Sequence, residues 1–521
     1  MTRLLRSTRH LSSERSVAAI HPQRSLSAVM QSAPTLDRPR STGWRSIVRF
    51  VAPMMAAVAG VAVALGGRPL RLLLGGFGAL CIPLILTLSN RHLVEMALVA
   101  LFFSRIGVAY GAPSALNFIH FPLVLLAAAT ATRAPDRSPN RVASALGMGA
   151  GGLLAVALLS ALANGTSVVA AILDWLVLCE PFLLIYAVVR DPPPDSSRSR
   201  LEHLLLAVVI MQVPFALWQT LTRGVGDAVQ GTFIGQGAGA HVVGAASIVA
   251  ALFVASTNVV RPRHVRIAAA LSLATLPLLA DAKQVLLLFV VAYAATSLAH
   301  SPKYWFASAF GVAALAGVVV VAVRFVPGWQ LVTNRWVFVD GLTHKLQVFT
   351  LIRSHFDTWS DWLLGIGPGN TVSRVAVMAL PDYGGRSSLL PRLGVDPSPV
   401  ATQLFAIDTE SYLARSGVGS SAWSFVFSWA GLFGDLGVLG VAMYAWLGII
   451  VWRATTHLSH DRRANAAHVT LALLVLLATV YGYLEEPAVT LSAAGWIAFV
   501  VVAGQACRVS ADRAAPLDRR R

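Results

Sequence analysis

Long apolar runs, each close to the length of a membrane crossing, recur along this chain and are parted by short polar joints. A helix needs about twenty mostly apolar residues to traverse roughly 30 Å of hydrocarbon, and lipid offers backbone groups no partner outside the helix itself. Such runs fall at 46–66, 70–88, 92–111, 115–132, 143–163, 167–189, 201–221, 238–256, 266–280, 282–299, 304–325, 425–452, 468–484 and 488–507. The pattern predicts an all-α, polytopic membrane protein with about fourteen transmembrane helices. The interval 326–424 breaks the rhythm, since a structureless connection of that size is uncommon unless it has a function. Its Trp329, Trp336, Phe338, Phe349, Phe356, Trp359 and Trp362 predict short amphipathic or interfacial helices within one large external loop. The expected layout is a basic disordered arm (1–45), a membrane domain of about eleven spans (46–325), the external loop (326–424), about three further spans (425–507) and a basic tail (508–521).

Composition agrees with lipid as the solvent. Of 521 residues, 56% are hydrophobic and 12% charged, about half the charged share of a soluble domain. The net charge of +17 does not point to nucleic acid, because the cations are dealt out in clusters between apolar runs instead of being gathered on one face. Those clusters read as a topology signal: with the N-terminus inside, about 28 of the 41 Lys and Arg fall in cytoplasmic segments. Both termini are then cytoplasmic, and the short runs 266–280 and 282–299 must be two helices parted at Asp281 instead of one. No short apolar region with a small-residue cleavage site precedes the first run, so no cleaved signal is expected. Cys81, Cys179 and Cys507 lie in or beside apolar runs without disulfide or metal spacing and read as packing residues.

Four polar or glycine-rich segments would share the outer face in this topology. Asp281, Ala282, Lys283 and Gln284 form a charged joint in which Lys283 either meets a phosphate as a point charge or pairs with Asp281. Gly231-Thr232-Phe233 opens a small-residue stretch leading to His241, where backbone N–H groups can approach an anion or helices can pack closely. Gly365-Ile366-Gly367-Pro368-Gly369-Asn370 describes a tight turn, able to position Asn370 or a backbone nest. Asp435, in Gly434-Asp435-Leu436-Gly437-Val438-Leu439-Gly440, is a carboxylate entering the membrane, and ionisable groups there are functional candidates by default. The same reasoning marks Glu95, Arg105, Asp174, Glu180, Glu485 and Glu486, the last two in a turn before Pro487 where solvation alone would account for them.

In this order, the segments between about 230 and 445 resemble the O-antigen ligase and polysaccharide polymerase family of bacterial envelope enzymes. Gly231–Phe233 is similar to that family's Gly-Thr-Phe entry, Leu364–Asn370 to its Leu-Gly-x-Gly-x-Gly-Asn signature, and Asp435–Gly440 to its acidic-x-Gly-x-x-Gly helix entry. Two departures stand out. Lys283 replaces the arginine of a Ser-Arg turn, keeping charge but losing the bidentate fork. Val426 and Phe427 occupy the place of a His-Asn pair, which favours a polymerase, or another base such as His344 or His355.

The resemblance implies glycosyl transfer on the outer face of a bacterial cytoplasmic membrane. A polyprenyl-diphosphate-linked glycan would be the donor, and other polysaccharide assembly or export proteins would be partners. Cations must stabilise the departing diphosphate and a base must take the acceptor proton. The assignment is Lys283, Arg335 and Arg353, with Gln284, on the substrate, Asp435 or His355 as base, and Gly365, Gly367, Gly369 and Asn370 as a positioning turn. No cofactor or metal is expected. A ligase transferring finished glycan, and a lipid-linked oligosaccharide flippase or other transporter, are the alternatives.

Overall fold

The computed structural model describes residues 88–109, 114–133, 140–234, 239–257, 259–260, 262–300, 335–380, 389–414, 424–456 and 461–514, with isolated helical positions between 309 and 324. The described chain is all-helical. Through the first membrane part run α1 (Asn90–Ala109), α2 (His120–Thr132), α3 (Arg141–Ala163), α4 (Val168–Arg190), α5 (Asp195–Ile210), α6 (Gln212–Arg223), α7 (Gly239–Ser256), α8 (Arg263–Leu279) and α9 (Lys283–His300). The intervening segment carries α10 (Arg335–Arg353), α11 (Trp359–Leu364), α12 (Arg374–Ala379) and α13 (Pro399–Ala414). Last come α14 (Ser428–Thr456), α15 (Arg462–Leu477) and α16 (Pro487–Ala514).

Among the described residues, seven helical segments are long and apolar enough to cross a membrane: α1, α3, α4, the joined α5 and α6, α7, α14 and residues 487–505 of α16. Their length and composition are those of membrane-spanning helices. The runs expected at 46–66 and 70–88 lie outside the described residues apart from Leu88, and 304–325 is described only at scattered helical positions. The runs expected at 266–280 and 468–484 are short helices of 17 and 16 residues. The joint at Asp281 is present, with a φ of +54° ending α8 before α9 begins.

Helix packing relies on small side chains, as lipid-embedded interfaces do. Gly149 and Gly152 of α3 face Leu447 and Met443 of α14, so these helices meet without bulky spacers. The helix ends sort into two sets. At one, Asn140 donates to Val189 O and Gln505, Arg463 meets Glu202 at 3.5 Å, and Arg91 bonds Ser197. At the other, Asn164 donates to Gly365 O at 3.0 Å, Arg105 meets Glu486 at 2.7 Å and Arg105 lies 5.5 Å from the Phe233 ring. Gly226 N–H also donates to Leu279 O there, so the Asp281 joint and the Gly231–Phe233 segment belong to that second set.

Between α9 and α14 the chain builds its own small core. Val348 and Ile352 of α10, Val372, Leu404 of α13, and Phe425, Phe427 and Ala430 at the start of α14 are buried together. Around it stand Phe349, Phe356, Trp362 and Phe433, with ring centroids 5.3–6.2 Å apart in edge-on or tilted pairs. The segment is thus moored to α14 before that helix enters the bundle.

α14 is broken at Gly437, whose φ of +65° and ψ of −164° only glycine adopts readily. A Cβ there would lie 2.5 Å from Gly365 N and Leu363 O, so two backbones meet at this point. Gly437→Ala is expected to cost at least about 1–3 kcal/mol from backbone strain alone, and should show as a lower unfolding temperature and yield of detergent-solubilised protein.

Candidate functional site

The break at Gly437 frees carbonyls, and the structure accounts for them. Gly434 O accepts from Ile366 N–H at 2.8 Å and Asp435 O from the Ser160 hydroxyl at 2.9 Å. The glycine turn approaches closely because Gly365 has φ +73°, and a Cβ at that position would lie 2.5 Å from the Asp435 and Gly434 carbonyl oxygens. The Asp435 carboxylate completes the joint. One oxygen accepts Gly369 N–H at 2.7 Å, and the other accepts Thr371 N–H at 2.9 Å and the Thr371 hydroxyl at 2.6 Å. Fully buried, it is engaged on both oxygens by the turn itself.

Asn370 is drawn into the same turn. Its side-chain amide donates to Ile366 O at 2.7 Å and its backbone carbonyl accepts from the Ser398 hydroxyl at 2.8 Å. Gly367 rests against Thr166, whose hydroxyl is buried without a hydrogen-bond partner.

Immediately beyond the turn, Arg374 opens α12 and enters a buried ionic network. Its guanidinium bonds Glu486 and donates to Glu485 O at 3.0 Å, while its backbone N–H bonds the Glu485 carboxylate. Glu486 also pairs with Arg105 of α1 at 2.7 Å, so one carboxylate bridges two arginines. The Glu485–Glu486 turn is therefore buried, at 2% and 1% exposure, and of the two readings the sequence left open, solvation does not account for it. Gly431 of α14 provides the room, since a Cβ there would press on Ser373 and Glu485.

The two glutamates diverge in acidity. Burial works against charge on Glu486, but Arg105 and Arg374 outweigh it and hold its carboxyl down at about 2. Burial, helped by the neighbouring Asp435, lifts Glu485 to about 8 despite the Arg374 contacts. Below that pH the four groups carry one net positive charge, and Arg105 Nη1 is buried with no hydrogen-bond acceptor. Asp174 of α4 is buried within electrostatic reach of Asp435 and Glu485. Such an arrangement can hold an anion on the arginines beside a carboxyl able to exchange a proton near neutral pH. Among the described residues no three His, Cys, Asp or Glu side chains gather as metal ligands.

The other described candidates make contacts of their own. Lys283 pairs with Asp281 at 2.7 Å, with Gln284 next to it and His241 in the same electrostatic neighbourhood. Arg353 lies 5.4 Å from the Trp362 ring centroid on the exposed side of α10, and His355 is half-buried just past that helix. Arg335 begins α10, its side chain outside the described residues; Gly235–Ala238 also lie outside them. His344 is buried, stacked on Phe425 and 3.9 Å from Asp408. Arg374 carried no signal of its own: in the sequence it is one of seven cations in a charge-balanced segment.

A second buried cation moors α10. Lys345 Nζ donates to Ser424 O at 2.8 Å and Val480 O at 2.7 Å, and lies 5.2 Å from the Phe427 ring. Burial lowers this ammonium to about 7, partly offset by Asp408, while burial lifts Asp408 to about 6.

Two outcomes follow from these contacts. Asp435→Asn puts an amide donor against donors and should cost about 1–3 kcal/mol, read as faster hydrogen exchange at Gly369 and Thr371. For Lys345, the undocked state binds more protons between about pH 7 and its ordinary 10.5, so docking of α10 strengthens as pH rises through that window. Asp408 titrates lower, its docking contribution falling as pH rises from 3.8 to about 6. Limited proteolysis between residues 335 and 424 should slow from about pH 7 to 9, and Lys345→Met should abolish that slope. The chain matches no protein-family model and no curated protein.

Proposed function

We propose that this chain is a membrane glycosyl transferase of the polymerase type, joining polyprenyl-diphosphate-linked oligosaccharide units on the outer face of a bacterial cytoplasmic membrane. One observation carries the reading. Segments far apart in sequence (Gly231–Phe233 against Arg105, the Gly365–Asn370 turn with Arg374, Asp435, and Glu485–Glu486) meet at one end of the helix bundle around the buried Arg105 and the half-buried Arg374. The resemblance in motif order and the Lys and Arg distribution support the outer placement of that end, with about fourteen spans and the 326–424 segment as an external lid.

In this reading the roles shift among the residues. Arg105 and Arg374 hold the donor diphosphate and stabilise its charge as the glycosidic C–O bond breaks. Glu485, once ionised, takes the proton of the acceptor hydroxyl as the new C–O bond forms. Asp435 holds the glycine turn that carries Arg374. Lys283, already matched by Asp281, contributes long-range charge, and Arg353 with His355 stands at the edge of the aromatic cluster. A flippase is the second reading, favoured by the buried His120–Glu180 pair at 2.6 Å between α2 and α4, because ionisable pairs inside spans often line transport paths.

Cells lacking the chain should accumulate single lipid-linked repeat units on the outer face. Finished long chains there would mean a ligase instead, and units trapped inside a flippase. With purified protein and lipid-linked repeats, Arg374→Lys should lower turnover about 10²–10³-fold, the scale of losing one preorganised donor. Turnover should rise with pH through about 8 as Glu485 ionises, and Glu485→Gln should remove that rising limb.

A further inference from the structure

The end of the bundle away from the Arg105–Arg374 network carries a corner built on Thr257, just past α7. Its backbone N–H donates to Phe253 O at 2.9 Å, so it extends the last turn of that helix, and it is buried. Two arginines from separate helices close on it. Arg266 of α8 donates to Thr257 O at 2.6 Å, and Arg463 of α15 donates to the Thr257 hydroxyl at 3.1 Å. The ends of α7, α8 and α15 are thereby tied together, and this brings Arg263, which opens α8, and Arg462, which opens α15, to the same corner.

Charge at this corner is not balanced. Arg463 meets Glu202 at 3.5 Å, and its backbone N–H donates to Asp461 at 2.9 Å. Arg198, also within electrostatic reach of Glu202, is matched by Asp195 at 3.2 Å. Arg263, Arg266, Arg462 and Arg463 therefore stand against Glu202 and Asp461, an excess of two positive charges. Arg263 and Arg462 are exposed and form no ion pair among the described residues, whereas Arg266 and Arg463 are half-buried and held in place. α8 also begins at Pro262 without a side-chain cap, so the positive end of its dipole adds to the field.

The same helix continues as an apolar surface. Leu273, Leu276 and Pro277 are buried, with Pro277 against Gly244 of α7. On its other side Ile267 and Leu271 are 45% and 61% exposed. They follow Arg263 at i+4 and i+8, so the three share one side of the helix. A free phosphate would meet the cations and leave the apolar row unused. A ligand that uses both carries an anionic head on an apolar tail.

We propose that this corner binds an anionic phospholipid, its phosphate held between Arg263 and Arg462 and an acyl chain lying along Ile267 and Leu271. The two exposed guanidinium groups meet the phosphate, while Arg266 and Arg463 fix the helix ends and strengthen the local potential. Selection rests on net charge: a zwitterionic headgroup brings its own cation to a surface that already holds an excess of them. The site is independent of the reaction at the other end of the bundle.

The test is native mass spectrometry of the full chain in detergent, titrated in parallel with phosphatidylglycerol and phosphatidylcholine of the same acyl chains. Phosphatidylglycerol should be bound about tenfold more tightly. Arg263→Gln and Arg462→Gln should each weaken it about fivefold, the weight of one cation near an anionic headgroup, and leave phosphatidylcholine unchanged. Both side chains are exposed, so neither change threatens the fold. Arg133→Gln combined with Arg141→Gln, exposed arginines at other helix ends, is the control and should leave retention unchanged. Equal retention of the two lipids by the wild type would overturn the proposal, as would an unchanged phosphatidylglycerol affinity in either single variant. An equal loss in the control would also overturn it, marking a diffuse surface charge instead of a site. Displacement of the lipid by soluble glycerol 3-phosphate as effectively as by intact lipid would do the same, assigning the corner to a free phosphate ester.

Discussion

A carboxylate buried beneath a glycine turn is the interaction on which the site depends. Inside a membrane every backbone N–H and C=O needs a protein partner, yet α14 is interrupted at Gly437 where it passes the turn. The freed carbonyls are taken by Ile366 and Ser160, and the turn's own N–H groups are taken by Asp435. Each irregularity satisfies the other. Neither the broken helix nor the left-handed glycines would be tolerable alone, and together they set where Arg374 begins α12.

The ionic network inherits its precision from that joint. Two guanidinium groups share Glu486, and this shared, buried carboxylate keeps the arginines close together against their mutual repulsion. Glu485, one residue earlier, is held away from its ordinary acidity by burial and by its acidic neighbour. Adjacent residues of the same type thus acquire opposite tasks through environment alone, one permanently charged and one able to exchange a proton near neutrality. Lys345 shows the same physics at the mooring of α10, where two carbonyls and an aromatic face receive a buried amine.

Much of this was legible along the chain. Apolar run length marked the helices, and the glycine turn and Asp435 were singled out separately because their residue types are costly or special where they stand. The break between α8 and α9 at Asp281 followed from charge distribution. Less legible was what each charge faces. For Lys283 the sequence left a phosphate and Asp281 equally open as partners, and the structure pairs it with Asp281. Glu485 and Glu486 were marked as ionisable candidates for which solvation alone would also account, and nothing local announces that Arg105 and Arg374 meet them.

Sequence by itself determined the solvent and the helices: hydrophobic length is a local property, decided by transfer energy residue by residue. It also determined the special backbone positions, since Gly365 and Gly437 are the residue type that such φ values require. Tertiary structure alone decided the pairing. Arg105 and Glu486 stand 381 residues apart, and Thr371 and Asp435 are separated by 64. Whether a charge is a free ligand or a matched partner depends on the few ångströms around it, and those distances exist only once the helices have packed.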